Sequence, residues 1–150
     1  MTSMLLMLQA ISQNIALLCC ALFAGGSIYI SLVEDPSTTE GGTELAGTYL
    51  LTAHPRPAIF QASFATVAAL AGILTGLAGG AIWWAVGGAV LGIAALMHLF
   101  VVIPTTRRLS EVDPTADLER TDKLLARLAK LHAALSLASL AALFIFIMNT

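Results

Sequence analysis

Residues 57–103, PAIFQASFATVAALAGILTGLAGGAIWWAVGGAVLGIAALMHLFVVI, contain no Asp, Glu, Lys or Arg. Forty-seven uncharged residues exceed what one buried helix of a small soluble domain needs, and they suffice for two helices that each cross a bilayer. The break falls at Gly76-Leu77-Ala78-Gly79-Gly80. Pro57 suits the first turn of the earlier helix. Trp83 and Trp84, just after the glycines, are expected as amphipathic rings at a membrane–water boundary.

The same pattern extends outward. Met1 to Val33 carries no charged side chain, and Ile15 to Val33 is apolar enough for a first span. The segment lacks a basic n-region and a small-x-small cleavage site, so it reads as a retained transmembrane helix rather than a signal peptide. Leu131 to Met148 is a fourth apolar run, interrupted by His132 but by no formal charge. The expected fold is therefore all-α: one domain, residues 1–150, forming an integral membrane four-helix bundle of up-down-up-down topology. Its spans fall at about residues 10–33, 57–77, 81–103 and 124–148. Small residues at fourfold spacing allow close backbone approach: Gly72, Gly76 and Gly80; Gly88 and Gly92; Ala134, Ala138 and Ala142.

Composition agrees: 58% of residues are hydrophobic, 11% are charged, and the mean hydropathy is +0.89. A net charge of −2, with no basic residues interleaved with aromatics, excludes a nucleic-acid partner. Cys19 and Cys20 are adjacent within an apolar run and read as thiols packed like small hydrophobes. The connections carry the remaining signals. Ser37 and Glu40 have capping-box spacing, Thr43 to Thr52 reads as a short surface helix, and Asp113-Pro114 reads as a helix cap followed by proline. The charges from Asp117 to Lys130 alternate at helical spacing, as on a solvated helix face with local ion pairs.

All seven Lys and Arg residues lie between Arg56 and Lys130, in the connections after the first and third spans. An antiparallel bundle places both connections on one face. The positive-inside rule makes that face cytoplasmic in a bacterial inner membrane, with both termini opposite. Polar groups embedded near that face are costly against lipid and are expected to turn inward and meet. Glu34 ends the first span, with Ser27 and Ser31 before it. Gln61 lies one turn into the second span, His98 and Thr105 lie near the end of the third, and His132 begins the fourth. These residues outline a chamber. Glu34, His54 and His132 are its candidate acid–base groups, and Arg56, Gln61, His98, Thr105, Arg107 and Arg108 its candidate ligand-binding groups. Glu34, His98 and His132 are acceptable metal ligands, but no His-x-x-x-His or Glu-x-x-His spacing supports a metal site. Tyr29 and Tyr49 read as interfacial anchors that can also hold a ring-shaped ligand.

Four local patterns together resemble a known family. Ile28-Tyr29-Ile30-Ser31-Leu32-Val33-Glu34-Asp35-Pro36, Arg56 followed by Gln61, Pro104-Thr105-Thr106-Arg107-Arg108-Leu109 and Leu131-His132-Ala133 are similar to the anthrone oxygenase family of integral membrane proteins. The resemblance spans nearly the whole chain. It implies a four-helix membrane fold, oxidation of a hydrophobic phenolic or anthrone-like compound by molecular oxygen, and no recognised cofactor. Glu34, Pro36, Arg56, Gln61, Pro104, Thr105, Leu109 and His132 match the family pattern. This chain departs from it with Asp35 in place of His, Thr106 in place of Asn, and Leu128 and Leu135 where Trp and Arg are frequent. The partners so implied are the lipid bilayer and an aromatic small molecule, with homo-oligomerisation open to a chain this short. The departures keep an alternative in view, a non-enzymatic membrane protein that binds a lipid or small molecule or docks a partner.

Overall fold

The computed structural model describes the backbone of residues 2–53 and 55–150 and the side chains of residues 3–50 and 58–150. Helix α1 (Thr2–Tyr29) passes through a π turn (Ile30–Glu34) into α2 (Asp35–Glu40), and α3 (Thr43–Ala53) follows. Next come α4 (Pro55–Leu77) and α5 (Ile82–Met97), which passes through a second π turn (His98–Val102) into α6 (Ile103–Ser110). The last helix is α7 (Leu118–Ile147). No strand occurs among the described residues. Four helical rods, Ser3–Glu40, Ala58–Leu77, Ile82–Ser110 and Leu118–Ile147, are long and apolar enough to cross a membrane. At 1.5 Å per residue even the 20-residue rod spans about 30 Å, the thickness of a hydrocarbon core. The all-α membrane bundle expected from the charge-free runs is what the chain forms.

The rods close a ring. α4 packs most extensively against α5 and α1, and α7 closes the circuit against α1 and α5. Trp84, Phe23, Phe146, Leu91, Val102 and Leu135 fill the interior, while Leu6, Leu70, Ile93, Phe100 and Phe144 face outward, as a lipid-facing surface requires. The glycine spacing has its expected consequence between α4 and α5. A Cβ on Gly72 would sit 3.1 Å from the Gly88 Cα, and one on Gly88 would sit 2.7 Å from the Ala69 carbonyl oxygen. Gly79 turns the chain between these helices with φ of +96°, a conformation that costs glycine nothing. Ala134 does not share in this packing, because it faces outward.

The first and third rods run further than the sequence suggests. Pro36 and Pro104 do not end them. In each π turn the last donor reaches back five residues, Asp35 N–H to the Ile30 carbonyl and Ile103 N–H to the His98 carbonyl. The proline is then the second residue of the next helical segment, where a missing N–H is tolerated. The Ser37/Glu40 pair consequently lies inside a continuous rod and forms no capping box; Ser37 is exposed and the Thr38 hydroxyl donates to the Glu34 carbonyl.

Two further expectations are corrected. Asp113 does not cap a helix. Its carboxylate accepts from the Thr115 amide and hydroxyl in a turn, and these bonds hold it below the usual carboxylate range. Asp117 is the cap of α7, accepting from the Arg120 amide at 3.0 Å. Glu119 and Lys123 pair one turn apart on the exposed face, as the alternating charges suggest. Trp84 is not an interfacial ring. It is fully buried, stacked on Phe146 with centroids 4.8 Å apart, and its indole N–H donates to the Asn149 carbonyl at 3.0 Å. Trp83, half exposed, keeps the outward position.

Candidate functional site

Most of the buried polar residues of the first, second and fourth rods gather toward the charged end of the bundle. Ser27 Oγ donates to Gln61 Oε1 at 3.0 Å, joining α1 to α4. A Cβ on Gly26 would stand 2.5 Å from Gln61 Nε2, so glycine at this position makes room for the amide. One turn later Ser31 Oγ lies 2.9 Å from Ser136 Oγ, joining the first rod to α7. Ser136 spends its single proton on the His132 carbonyl, which makes Ser31 the donor of the pair.

One turn further, Asp35 meets His132. Nδ1 of the imidazole is 2.9 Å from Oδ2 and 3.3 Å from Oδ1. Both side chains are withdrawn from the surface, His132 to 3% exposure and Asp35 to 13%. Ser27, Ser31 and Asp35 thus form an inward series at intervals of four residues. In an uninterrupted α-helix Glu34, three residues after Ser31, would compete for this direction. The π turn takes more residues per turn and rotates the chain after Ser31, so that Asp35 faces His132. Glu34 instead borders a groove of about 300 Å³ with Tyr29, Val33, Thr38, Leu45 and Tyr49.

Of the candidate site residues, the structure brings His132, through Asp35, into the same buried polar region as Gln61. His98 and Thr105 are buried on the third rod, where the Thr105 hydroxyl donates to the Val101 carbonyl at 2.7 Å. Arg107 and Arg108 are exposed in the last turn of α6, a favourable place for cations against the helix dipole. The expectation for His54 and for the Arg56 side chain lies outside the described residues. Asp35 is not among the site residues that the sequence pattern singles out. Its signal was the four-residue spacing from Ser27 and Ser31, masked by the neighbouring Glu34.

Chemically, the Asp35–His132 pair is a carboxylate holding an imidazole by Nδ1. This arrangement fixes the ring and assigns any acid–base exchange to Nε2, with the carboxylate stabilising the protonated ring. Among the described residues no three His, Cys, Asp or Glu side chains group as a metal centre. Cys19 and Cys20 are buried free thiols, with Cys20 Sγ 3.7 Å from the Ser139 carbonyl oxygen. At the opposite end a buried pair, Ser12 with Thr75 at 2.8 Å, ties α1 to α4. The chain matches no known protein family, no characterised protein and no solved structure.

Proposed function

We propose that this integral membrane protein is a proton-abstracting oxidoreductase of the anthrone oxygenase type, acting on a hydrophobic phenolic or anthrone-like compound that enters from the bilayer. The observation that supports it most is the buried Asp35–His132 pair, an intramembrane ionisable couple of the kind that marks functional sites. His132 takes a proton from the activated methylene. In this reading Asp35 stabilises the imidazolium, and the Gln61 amide donates to the developing oxyanion. The carbanion delivers its electrons to molecular oxygen. After proton return a hydroperoxide forms, and loss of water leaves the carbonyl, so one O2 yields one quinone oxygen and one water. The reading requires no bound cofactor. The charged connections lie on the cytoplasmic side in this proposal, following the basic residues.

Oxygen uptake by the purified, chelator-treated protein with a panel of anthrones and hydroquinones tests this reading. Uptake above the uncatalysed rate is expected for the wild type, none for His132→Ala, and little for Asp35→Asn. Uptake that survives in folded His132→Ala, or that is absent from the folded wild type across the panel, overturns it.

A further inference from the structure

The groove beside the first π turn answers to a different chemistry. It is bordered by the half-buried Glu34 carboxylate and by two phenol rings, Tyr29 at 58% and Tyr49 at 42% exposure. Val33 and Leu45 supply hydrocarbon, and the Thr38 hydroxyl spends its proton on the Glu34 and Asp35 carbonyls. Among the described residues the Glu34 carboxylate forms no ion pair and accepts no hydrogen bond, although its neighbour Asp35 is paired with His132. A partly desolvated carboxylate at the end of an apolar span calls for a counter-charge.

We propose that this groove binds the quaternary ammonium headgroup of a membrane-resident amphiphile. Glu34 supplies the counter-charge, and the electron-rich rings of Tyr29 and Tyr49 supply the cation–π walls. Charge complementarity selects a cation. The ring faces and the Val33 and Leu45 hydrocarbon favour a methylated one, because a trimethylammonium presents C–H surface to them, whereas a primary ammonium brings three N–H donors for which the groove offers only the carboxylate and hydroxyls such as those of Ser37 and Thr38 at its polar edge. At about 300 Å³ the groove is at the small end of ligand sites, suited to a headgroup and its first methylenes. The exposed Leu32 next to Val33 continues an apolar surface along which the tail lies in the bilayer. This site is independent of the oxidation chemistry, since it uses neither Asp35 nor His132.

The test is calorimetric titration of the full-length protein, in uncharged maltoside micelles, with hexyltrimethylammonium, and with hexan-1-ol as the neutral comparison. Saturable binding of the cation and none of the alcohol is expected. Glu34→Gln should weaken the cation by about tenfold, and Tyr29→Leu by severalfold, while Tyr29→Phe keeps the ring and the affinity. Equal binding of cation and alcohol, no saturable binding to the wild type, or wild-type affinity in folded Glu34→Gln overturns the proposal. Tyr29 is more than half exposed, so Tyr29→Leu is the arm that carries the test if Glu34→Gln fails to fold.

Discussion

Asp35 and His132 are 97 positions apart in sequence, and they meet at 2.9 Å where the first rod crosses the start of the apolar part of α7. The pair joins the first rod to the last at the polar end of the bundle. Replacing Asp35 by Ala leaves a buried imidazole N–H without its acceptor, at an expected cost of about 1–3 kcal/mol in thermal unfolding. Asp35→Asn keeps an oxygen acceptor and most of that stability. It removes the charge that stabilises the imidazolium, so oxygenase turnover, measured as oxygen uptake, should fall by about 10²–10⁴-fold.

The first π turn is what aims Asp35. Deleting Leu32, whose side chain is 72% exposed and contributes little packing, should convert the turn to ordinary helix; Asp35 then stands three residues after Ser31, in the inward direction that Glu34 would otherwise take, and still faces α7. Cysteine pairs read this out in a background with Cys19 and Cys20 changed to Ala. Ser31→Cys with Ser136→Cys should cross-link with or without the deletion, because Ser31 precedes it. Asp35→Cys with His132→Cys should likewise cross-link with or without the deletion, and loss of this cross-link on deletion would mean that the π turn is not a one-residue insertion that keeps the helix in phase.

How far the sequence carries the reader is visible in these same residues. The four rods follow from runs free of formal charge, because a bilayer tolerates neither charge nor unpaired backbone. The α4–α5 contact follows from glycines spaced by four. Glu34 and Asp35 show where such reading stops. Adjacent carboxylates differ in direction by one residue's rotation, and a π turn, which leaves no compositional mark apart from the following Pro36, decides between them. Trp84 shows a second limit: hydropathy places an indole near a span end, but the Phe146 ring and the Asn149 carbonyl, more than sixty residues away, turn it inward.

Gly88 and Gly92 lie one turn apart on α5 and should respond oppositely to the same change. A methyl at Gly88 meets the Ala69 carbonyl oxygen at 2.7 Å and the Ile73 backbone nitrogen at 2.8 Å, so α4 itself must move. Gly88→Ala is expected to cost about 1–3 kcal/mol, as overpacking does. At Gly92 the nearest atom is the Ala69 Cβ at 3.9 Å, an ordinary contact. Gly92→Ala should be neutral or stabilise by up to about 1 kcal/mol through helix propensity. Thermal unfolding of both variants in the same detergent checks the contrast.

The two adjacent indoles offer an optical test of the packing at the other end. Trp83 is 53% exposed, whereas Trp84 is fully buried, stacked on Phe146 with its N–H bonded. In bilayers containing brominated acyl chains, protein retaining Trp83 alone, made by Trp84→Phe, should be strongly quenched. Protein retaining Trp84 alone, made by Trp83→Phe, should be quenched far less and emit further to the blue. Trp84→Phe also gives up a hydrogen bond worth about 0.5–1.5 kcal/mol and leaves a smaller ring against Phe146, so it should unfold at lower temperature than Trp83→Phe. Equal quenching of the two single-tryptophan proteins would mean that Trp84 faces lipid, and the ring stacking that closes this end of the bundle would then be absent.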